Sequence, residues 1–194
     1  MEHTLIRDID KVLIGRDEIA RRVQEMGAEL ANDLAEAVKG EGDAPEDAGH
    51  IVFIPILTGS IVFVADLIRH MPMKLSLELV AVSSYPGKSM ESKGVSIRSA
   101  LPDDLEGKHV VLADDILDSG RTLAMIRSLV EEQNPASVRV CVLLEKKIEG
   151  YTPPIRADYA GFEIPDEFVV GYGLDYNGLY RNHPEIVTLK PEAL

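Results

Sequence analysis

The sequence predicts an α/β protein with a mostly parallel central sheet, helices on its faces and a small hood. Three observations carry this prediction. Residues 51–57 and 110–113 are continuous apolar runs and 138–144 is a mainly apolar run, a pattern typical of parallel strands buried on both faces. Helical apolar patterns alternate with these runs, as in a chain of βα units. Beyond residue 149 the pattern changes to short strands and turns, which predicts a separate covering layer.

The N-terminal half begins with an amphipathic helix and continues with a βα unit. From residue 16 to 38 apolar side chains recur every three or four positions, and Gly40 ends the pattern. Residues 41–50 form a short connector, and 51–57 are predicted as a strand. Residues 61–71 are predicted as a helix ended by Pro72, and 73–85 as a second strand. The periodic positions of the first helix are Ile19, Val23, Met26, Leu30, Leu34 and Val38.

The second half repeats the alternation after a polar segment. Residues 86–97, PGKSMESKGVSI, lack apolar periodicity and are expected to form a mobile loop that closes over a site. Strand 110–115, helix 120–133 and strand 138–144 follow. We expect a core at about 51–146, covered by a hood made of residues 1–15 and 150–194. The whole chain, 1–194, is predicted to be a single domain.

Composition limits the function classes. The chain has 194 residues, 45% hydrophobic and 27% charged, which is ordinary for one globular domain. Its formal net charge of −13 disfavours nucleic acid and anionic membranes as partners. Cys141 is the only cysteine and lies in an apolar run, so it is predicted to be buried, and a reducing cytoplasm is expected. The first ten residues do not resemble a secretion signal, and no stretch has membrane-spanning length.

Residues 110–123, VVLADDILDSGRTL, contain the densest chemistry in the chain. Asp114 and Asp115 are predicted where a buried strand emerges, and ligands of open α/β sheets bind at that edge. The next segment, 118–122, offers consecutive backbone N–H groups and two hydroxyls at a helix N-terminus, which suits a phosphate. A ribose 5-phosphate would suit both features, because its hydroxyls can donate to the two acids and its phosphate can accept from the loop. The 118–122 segment lacks the Gly-Lys-Ser/Thr ending of a nucleoside triphosphatase loop.

This segment resembles the diphosphoribose-binding motif of type I phosphoribosyltransferases. The tail, FEIPDEFVVGYGLDYN followed by Tyr180 and Arg181, resembles the C-terminal motif of the hypoxanthine-guanine branch. The resemblance covers about 51–181 and implies the type I phosphoribosyltransferase fold. It implies Mg²⁺-dependent transfer of a 5-phosphoribosyl group from 5-phosphoribosyl 1-diphosphate to N9 of a 6-oxopurine, for purine salvage. It also implies a homodimer or homotetramer.

The resemblance assigns roles around the purine base. Asp118 matches the carboxylate that receives the N7 proton or stabilises developing positive charge. Lys146 matches the lysine that donates to the 6-oxo group, and Arg181 matches the arginine that clamps the departing pyrophosphate. Phe168 matches the aromatic that stacks on the purine, and the backbone of Val169 matches the group that pairs with the base edge.

The remaining implied roles concern the sugar, its phosphates and the metal. Asp175, Asp114 and Asp115 match the carboxylates that reach Mg²⁺, and the last two also bind the ribose hydroxyls. The turn at 57–60 matches the pyrophosphate-binding loop, in which the family holds a cis peptide between the first two residues. The 5′-phosphate is expected on Ser119, Gly120, Arg121 and Thr122, and pyrophosphate on Thr58, Gly59, Ser84 and Tyr85.

The chain departs from the family pattern at a few positions, and several alternatives stay open. Asp114 stands where glutamate is usual, Ser119 replaces threonine, and Thr58 replaces lysine or asparagine. The expected mobile loop has Lys93 where threonine is usual. A xanthine-preferring transferase and an RNA-binding regulator on the same fold are the rival functions. Lys146 disfavours adenine as a substrate, but the predicted site residues do not distinguish hypoxanthine, guanine and xanthine.

Overall fold

The computed structural model describes residues 7–39, 50–84, 95–97 and 101–194. Its helices are α1 (Arg16–Lys39), α2 (Ile61–Leu67) and α3 (Arg121–Glu131), with short 3-10 turns at Ile68–His70 and Pro191–Ala193. Its strands are β1 (Ile9–Ile14), β2 (Ile51–Leu57), β3 (Ser76–Leu77), β4 (Val80–Ser84), β5 (Val95–Ile97), β6 (His109–Leu117), β7 (Ser137–Lys147), β8 (Tyr159–Pro165) and β9 (Ile186–Leu189).

The main sheet has the strand order β5-β4-β2-β6-β7-β8, with β3 also paired to β2. Strands β4, β2, β6, β7 and β8 run parallel to their neighbours, and β5 is antiparallel to β4. A separate two-stranded antiparallel sheet joins β1 to β9. We use the word hood for residues 7–15 and 166–194. The main sheet is therefore mostly parallel, as predicted.

Buried side chains fill both faces of the main sheet. Along β6, Val111 and Ala113 contact the layer that contains α1 and α2, whereas Val110 and Leu112 contact the layer that contains α3. This alternation explains the continuous apolar run in the sequence, because neither face of the strand meets water. All six periodic positions predicted for α1 are buried, which confirms its amphipathic pattern. Cys141 is buried as predicted, and burial raises the pKa of its thiol to about 12.

Several predicted elements have different bounds in the structure. The strand expected at 110–115 runs from His109 to Leu117, so the acid pair lies within it rather than at its end. The strand expected at 73–85 is broken into β3 and β4, and the backbone N–H of Glu78, between them, donates a hydrogen bond to the carbonyl of Phe53 in β2. Residues 95–97, predicted as loop, form β5. The rest of the predicted loop, 86–94, and all of the predicted connector 41–50 except its last residue lie outside the described residues.

The hood is smaller than the sequence predicted. Residues 159–165 were expected in the hood, but β8 pairs with β7 and forms an edge of the main sheet. The strand is only partly buried and its pairing is nonlocal, so its sequence has no strong periodic signal. Among the described residues, no helix is long and apolar enough to cross a membrane.

Candidate active site

The acid pair lies where β6 extends past one of its two neighbours. Pairing between β2 and β6 ends at Pro55 and Ala113, whereas β6 stays paired with β7 as far as Leu117. Asp114 and Asp115 are therefore the first residues of β6 without β2 beside them. The space beside them, which β2 does not fill, lies at the carboxyl ends of the parallel strands. This is the edge where such sheets bind ligands.

The two carboxyl groups of the pair lie close together in a poorly hydrated position. The backbone N–H of Asp115 donates a hydrogen bond of 3.0 Å to Oδ1 of Asp114. Burial raises the pKa of Asp114 well above its ordinary value, and the neighbouring charge of Asp115 raises it further. Burial also raises the pKa of Asp115, although Arg181 and hydrogen bonds oppose that shift. Such carboxylates are suited to accept hydroxyl hydrogen bonds or to meet a cation.

The turn after β2 lies against this pair. The peptide bond between Leu57 and Thr58 is cis, and a Cβ atom added at Gly59 would overlap the carboxylate of Asp115. On the other side, a Cβ atom at Gly173 of the hood would overlap the carbonyl oxygen of Gly59. Thr58 is exposed at the tip of the turn, so the backbone of the turn is held between the core and the hood while its tip faces solvent.

The segment between β6 and α3 forms an open loop at a helix N-terminus. Gly120 has φ of +68° and precedes the first residue of α3. A Cβ atom there would come within 3.1 Å of side-chain atoms of Leu117, Pro153 and Ile155, so both conformation and packing favour glycine. Asp118, Ser119 and Arg121 are exposed, and Thr122 is partly buried. The first backbone N–H groups of α3 are thus available to an anion.

The loop has a support that the sequence analysis missed. Tyr151 donates a 2.9 Å hydrogen bond from its hydroxyl to the backbone carbonyl of Ser119. Tyr151 lies in the connection between β7 and β8, far along the chain from the loop. A tyrosine in a polar connection gives no periodic or motif signal, so only the folded chain reveals the contact.

Lys146 lies near the end of β7 and is much less exposed than its neighbour. Only 11% of its side chain is exposed, against 53% for Lys147. Its Nζ atom lies 3.6 Å from Oδ2 of Asp118 and 3.4 Å from Oδ1 of Asp166. The structure therefore brings the predicted base-binding lysine next to the predicted proton acceptor. Asp166 follows β8 directly and was not among the predicted site residues.

Arg181 and Asp175 form an ion pair in the hood. Nη2 of Arg181 lies 2.6 Å from Oδ1 of Asp175, and Nη1 donates a 2.6 Å hydrogen bond to the carbonyl of Gly173. The other oxygen of Asp175 accepts a 2.7 Å hydrogen bond from the backbone N–H of Gly178. The charge of Arg181 also lowers the pKa of Asp115, so the guanidinium acts on both the hood carboxylate and a strand acid.

The predicted stacking aromatic is available to a flat ligand. Phe168 is 48% exposed, although it is a large apolar side chain. Its ring contacts Tyr176 edge to face, with ring centroids 5.6 Å apart. Val169, which follows it, is buried and anchors the backbone beside the ring. Ser84 ends β4, its side chain is not described, and Tyr85 lies outside the described residues.

Comparisons with known proteins agree with this geometry. Residues 20–177 match the family model described as the phosphoribosyl transferase domain. The chain belongs to the phosphoribosyltransferase family. This confirms the resemblance carried by the 110–123 segment and the C-terminal motif.

Full-length relatives share the similarity. The chain is 41% identical over 189 residues to the hypoxanthine-guanine phosphoribosyltransferase of Streptococcus pneumoniae, covering 97% of this chain and 98% of that protein. It is 39% identical over 184 residues to the Bacillus subtilis enzyme of the same name, covering 95% of each. Among solved structures, a hypoxanthine phosphoribosyltransferase from Staphylococcus aureus matches with a TM-score of 0.84 and 38% identity, covering 99% of this chain and 97% of that one.

Proposed function

We propose that this protein transfers the 5-phosphoribosyl group of 5-phosphoribosyl 1-diphosphate to N9 of hypoxanthine, guanine or both. The products are the purine nucleoside 5′-monophosphate and pyrophosphate, as in purine salvage. The full-length relatives named for this reaction support the proposal. The comparisons give no support to a xanthine-preferring enzyme or to an RNA-binding regulator.

The pairing of Lys146 with Asp118 is the observation that carries the choice of base. An ammonium group offers only donors, so it favours an oxo group over the amino group of adenine. The carboxylate beside it can accept the N7 proton as N9 attacks the anomeric carbon. The exposed ring of Phe168 offers a stacking surface for a flat base. We assign these three residues to base binding and proton transfer.

The remaining predicted residues suit the sugar and its phosphates. We assign the ribose hydroxyls to Asp114 and Asp115, and the 5′-phosphate to the amides and hydroxyls of 118–122. We assign the leaving pyrophosphate to the turn at 57–60, to Ser84 and Tyr85, and to the fixed charge of Arg181. Breaking the anomeric bond gives the ribosyl group positive character and leaves charge on pyrophosphate. The protein lowers this barrier by orientation and by charges already in place.

The described carboxylates fit a magnesium ion that the substrate helps to bind. No group of three or more His, Cys, Asp or Glu side chains with metal-binding spacing occurs within the described segments. Mg²⁺ does not require one, since it is usually held by one or two carboxylates together with substrate phosphates. Asp114, Asp115 and Asp175 offer hard oxygens from three carboxylates, which is enough, and a cation would relieve the unfavourable burial of the first two. When bound, Mg²⁺ would neutralise charge on the diphosphate.

An assay with each purine tests the proposal. The purified protein is incubated with Mg²⁺, 5-phosphoribosyl 1-diphosphate and adenine, hypoxanthine, guanine or xanthine, and pyrophosphate and nucleotide are both measured. We expect turnover with hypoxanthine, guanine or both, and none with adenine. Turnover of adenine but of no other purine would contradict the proposal, and so would a failure to turn over any of the four purines.

A substitution at Lys146 tests the assignment of the base site. Replacing Lys146 by Ala removes the donor to the 6-oxo group but leaves the phosphate-binding segments unchanged. We expect KM for hypoxanthine to rise by about 10-fold or more, which is the scale of a lost charged hydrogen bond. KM for 5-phosphoribosyl 1-diphosphate should change by much less. Equal changes in both constants would contradict the assignment. Lys147→Ala, which alters the exposed neighbour, is the control.

We further propose that residues 1–194 work as one domain, in the cytoplasm, and assemble as a homodimer or homotetramer. The interleaving of hood and core supports one domain, because the hood takes residues from both ends of the chain. Light scattering after size-exclusion chromatography distinguishes a dimer from a tetramer. A monomer at assay concentrations would contradict the proposed assembly.

A further inference from the structure

We infer that Asp166 is a positioning residue that holds Lys146 in place so that Asp118 is free to accept a proton. This inference rests on the proposed function. Lys146 and Asp166 meet because β7 and β8 are parallel and in register. Lys147 pairs with Pro165, so the residue after Pro165 lies beside the end of β7. Oδ1 of Asp166 is 3.4 Å from Nζ of Lys146, slightly closer than the carboxylate of Asp118.

The need for a second carboxylate follows from the burial of Lys146. A side chain with 11% exposure has lost most of the water around its ammonium group, so it requires compensating charge. If Asp118 supplied that charge alone, the ion pair would compete with proton transfer to the same carboxylate. An ammonium group has three donors, so it can contact Asp166, Asp118 and a 6-oxo group together. Asp166 thus keeps the cation in position while Asp118 changes its protonation state.

The exposure of Asp166 suits this task. Its side chain is 59% exposed, so it stays hydrated and the fold does not depend on it for packing. Asp118 is similarly exposed, at 51%, and both carboxylates can be altered without leaving a cavity. The difference between them is location, since Asp118 follows β6 beside the phosphate-binding loop and Asp166 begins the hood segment that leads to Phe168.

The adjacent lysine provides a matched control. Lys147 lies 2.9 Å from Glu145 and 3.1 Å from Glu163, and its side chain is 53% exposed. The Glu163 pair joins β7 to β8, as the Asp166 pair does, but belongs to the more exposed lysine. Glu163→Gln therefore removes a similar interstrand ion pair outside the site.

The experiment compares Asp166→Asn, Asp166→Glu and Glu163→Gln with the parent enzyme, using separate titrations of hypoxanthine and 5-phosphoribosyl 1-diphosphate. We expect Asp166→Asn to raise KM for hypoxanthine by about three- to tenfold, in line with the loss of one partly solvated ion pair. KM for 5-phosphoribosyl 1-diphosphate should stay within about twofold, because the phosphate-binding segments are not altered. Asp166→Glu should restore most of the loss, and Glu163→Gln should match the parent.

Three results would overturn the inference in a protein that shows the proposed activity. They are a parent-like KM for hypoxanthine in Asp166→Asn, equal rises in the two KM values, or the same rise in Glu163→Gln. A parent protein without activity towards any purine would instead overturn the proposed function, and the inference with it. Circular dichroism of each variant verifies that the compared proteins are equally folded.

Discussion

Asp114 and Asp115 place two carboxyl groups where folding removes much of their water. A carboxyl group whose pKa is higher in the folded state than in the unfolded chain binds its proton more tightly when folded. Its contribution to stability is therefore full below the unfolded pKa of about 4 and declines as the pH rises through the raised folded value. Ionisation of either carboxyl in the free protein therefore creates a poorly solvated negative charge. A bound cation or sugar hydroxyls would compensate that charge.

The Asp114→Asn substitution tests this trade between stability and binding. We expect Tm at pH 7 to rise, because the variant no longer buries a charge. The rise should be about 2–4 °C for each kcal/mol gained in unfolding free energy. The gain should vanish near pH 4, where the parent carboxyl is protonated. Activity should fall, because an amide is a poorer acceptor for ribose hydroxyls. Thermal unfolding at pH 7 and pH 4 measures the change in Tm, and steady-state kinetics measures the change in activity. Asp103→Asn, which alters an exposed carboxylate, is the control. A lower Tm at pH 7 would contradict the argument.

Asp118→Asn tests proton transfer. The amide keeps the size of the side chain but cannot receive the N7 proton, so kcat should fall by about 10²-fold or more. KM for 5-phosphoribosyl 1-diphosphate should change little, since the amides of the loop remain. Single-turnover measurement of nucleotide formation separates this chemical step from product release. Unchanged turnover would remove Asp118 from the chemistry.

At the scale of elements, the local sequence pattern was enough to predict the helices and strands whose own apolar residues define their buried faces. The helix at 16–38 and the strands at 51–57 and 138–144 were predictable, because continuous or periodic apolar residues determine which faces are buried. Whether β8 joins the sheet, and how far β6 extends past β2, depends on pairing between distant segments. The same limit applies to the site. Motifs predicted Lys146 and Asp118, but Asp166 and Tyr151 required the register of β8 and the path of the following connection.

We propose that the backbone of the turn after β2 binds pyrophosphate, so the geometry of its glycine should control that binding. Replacing Gly59 by Ala would force its Cβ atom against the carboxylate of Asp115 and displace the turn, the acid or both. We expect kcat/KM for 5-phosphoribosyl 1-diphosphate to fall by about 10- to 100-fold, as misplacement by about 1 Å can do. Gly15→Ala is the control, because its Cβ atom would meet only Glu185, at 3.8 Å. Equal activity of the two variants would contradict this account.

Across the whole molecule, the candidate site lies between a core sheet and a hood built from both ends of the chain. The core supplies the acid pair, the phosphate-binding loop and Lys146, whereas the hood supplies Phe168 and Arg181. Interactions between hood strands keep this layer together, including the β1 and β9 pairing and the 2.8 Å ion pair of Lys11 with Glu167. In the proposed assignment the base and the leaving group contact both layers, so their alignment would depend on how the layers pack.

Gly173 is where the packing of the two layers can be tested. Its φ is +107°, and a Cβ atom there would overlap the carbonyl oxygen of Gly59, so Gly173→Ala should push the hood away from the turn after β2. Gly107→Ala is the matched control, because Gly107 also has positive φ, +69°, but has open space around its Cβ position. Both variants should lose about 1–3 kcal/mol of unfolding free energy to backbone strain. Only Gly173→Ala should also lose about 10-fold or more in kcat/KM, because Arg181 and the turn would no longer meet the same pyrophosphate. Denaturant unfolding and steady-state kinetics on both variants measure the two effects, and equal loss of activity would show that strain alone, rather than the contact between layers, governs the site.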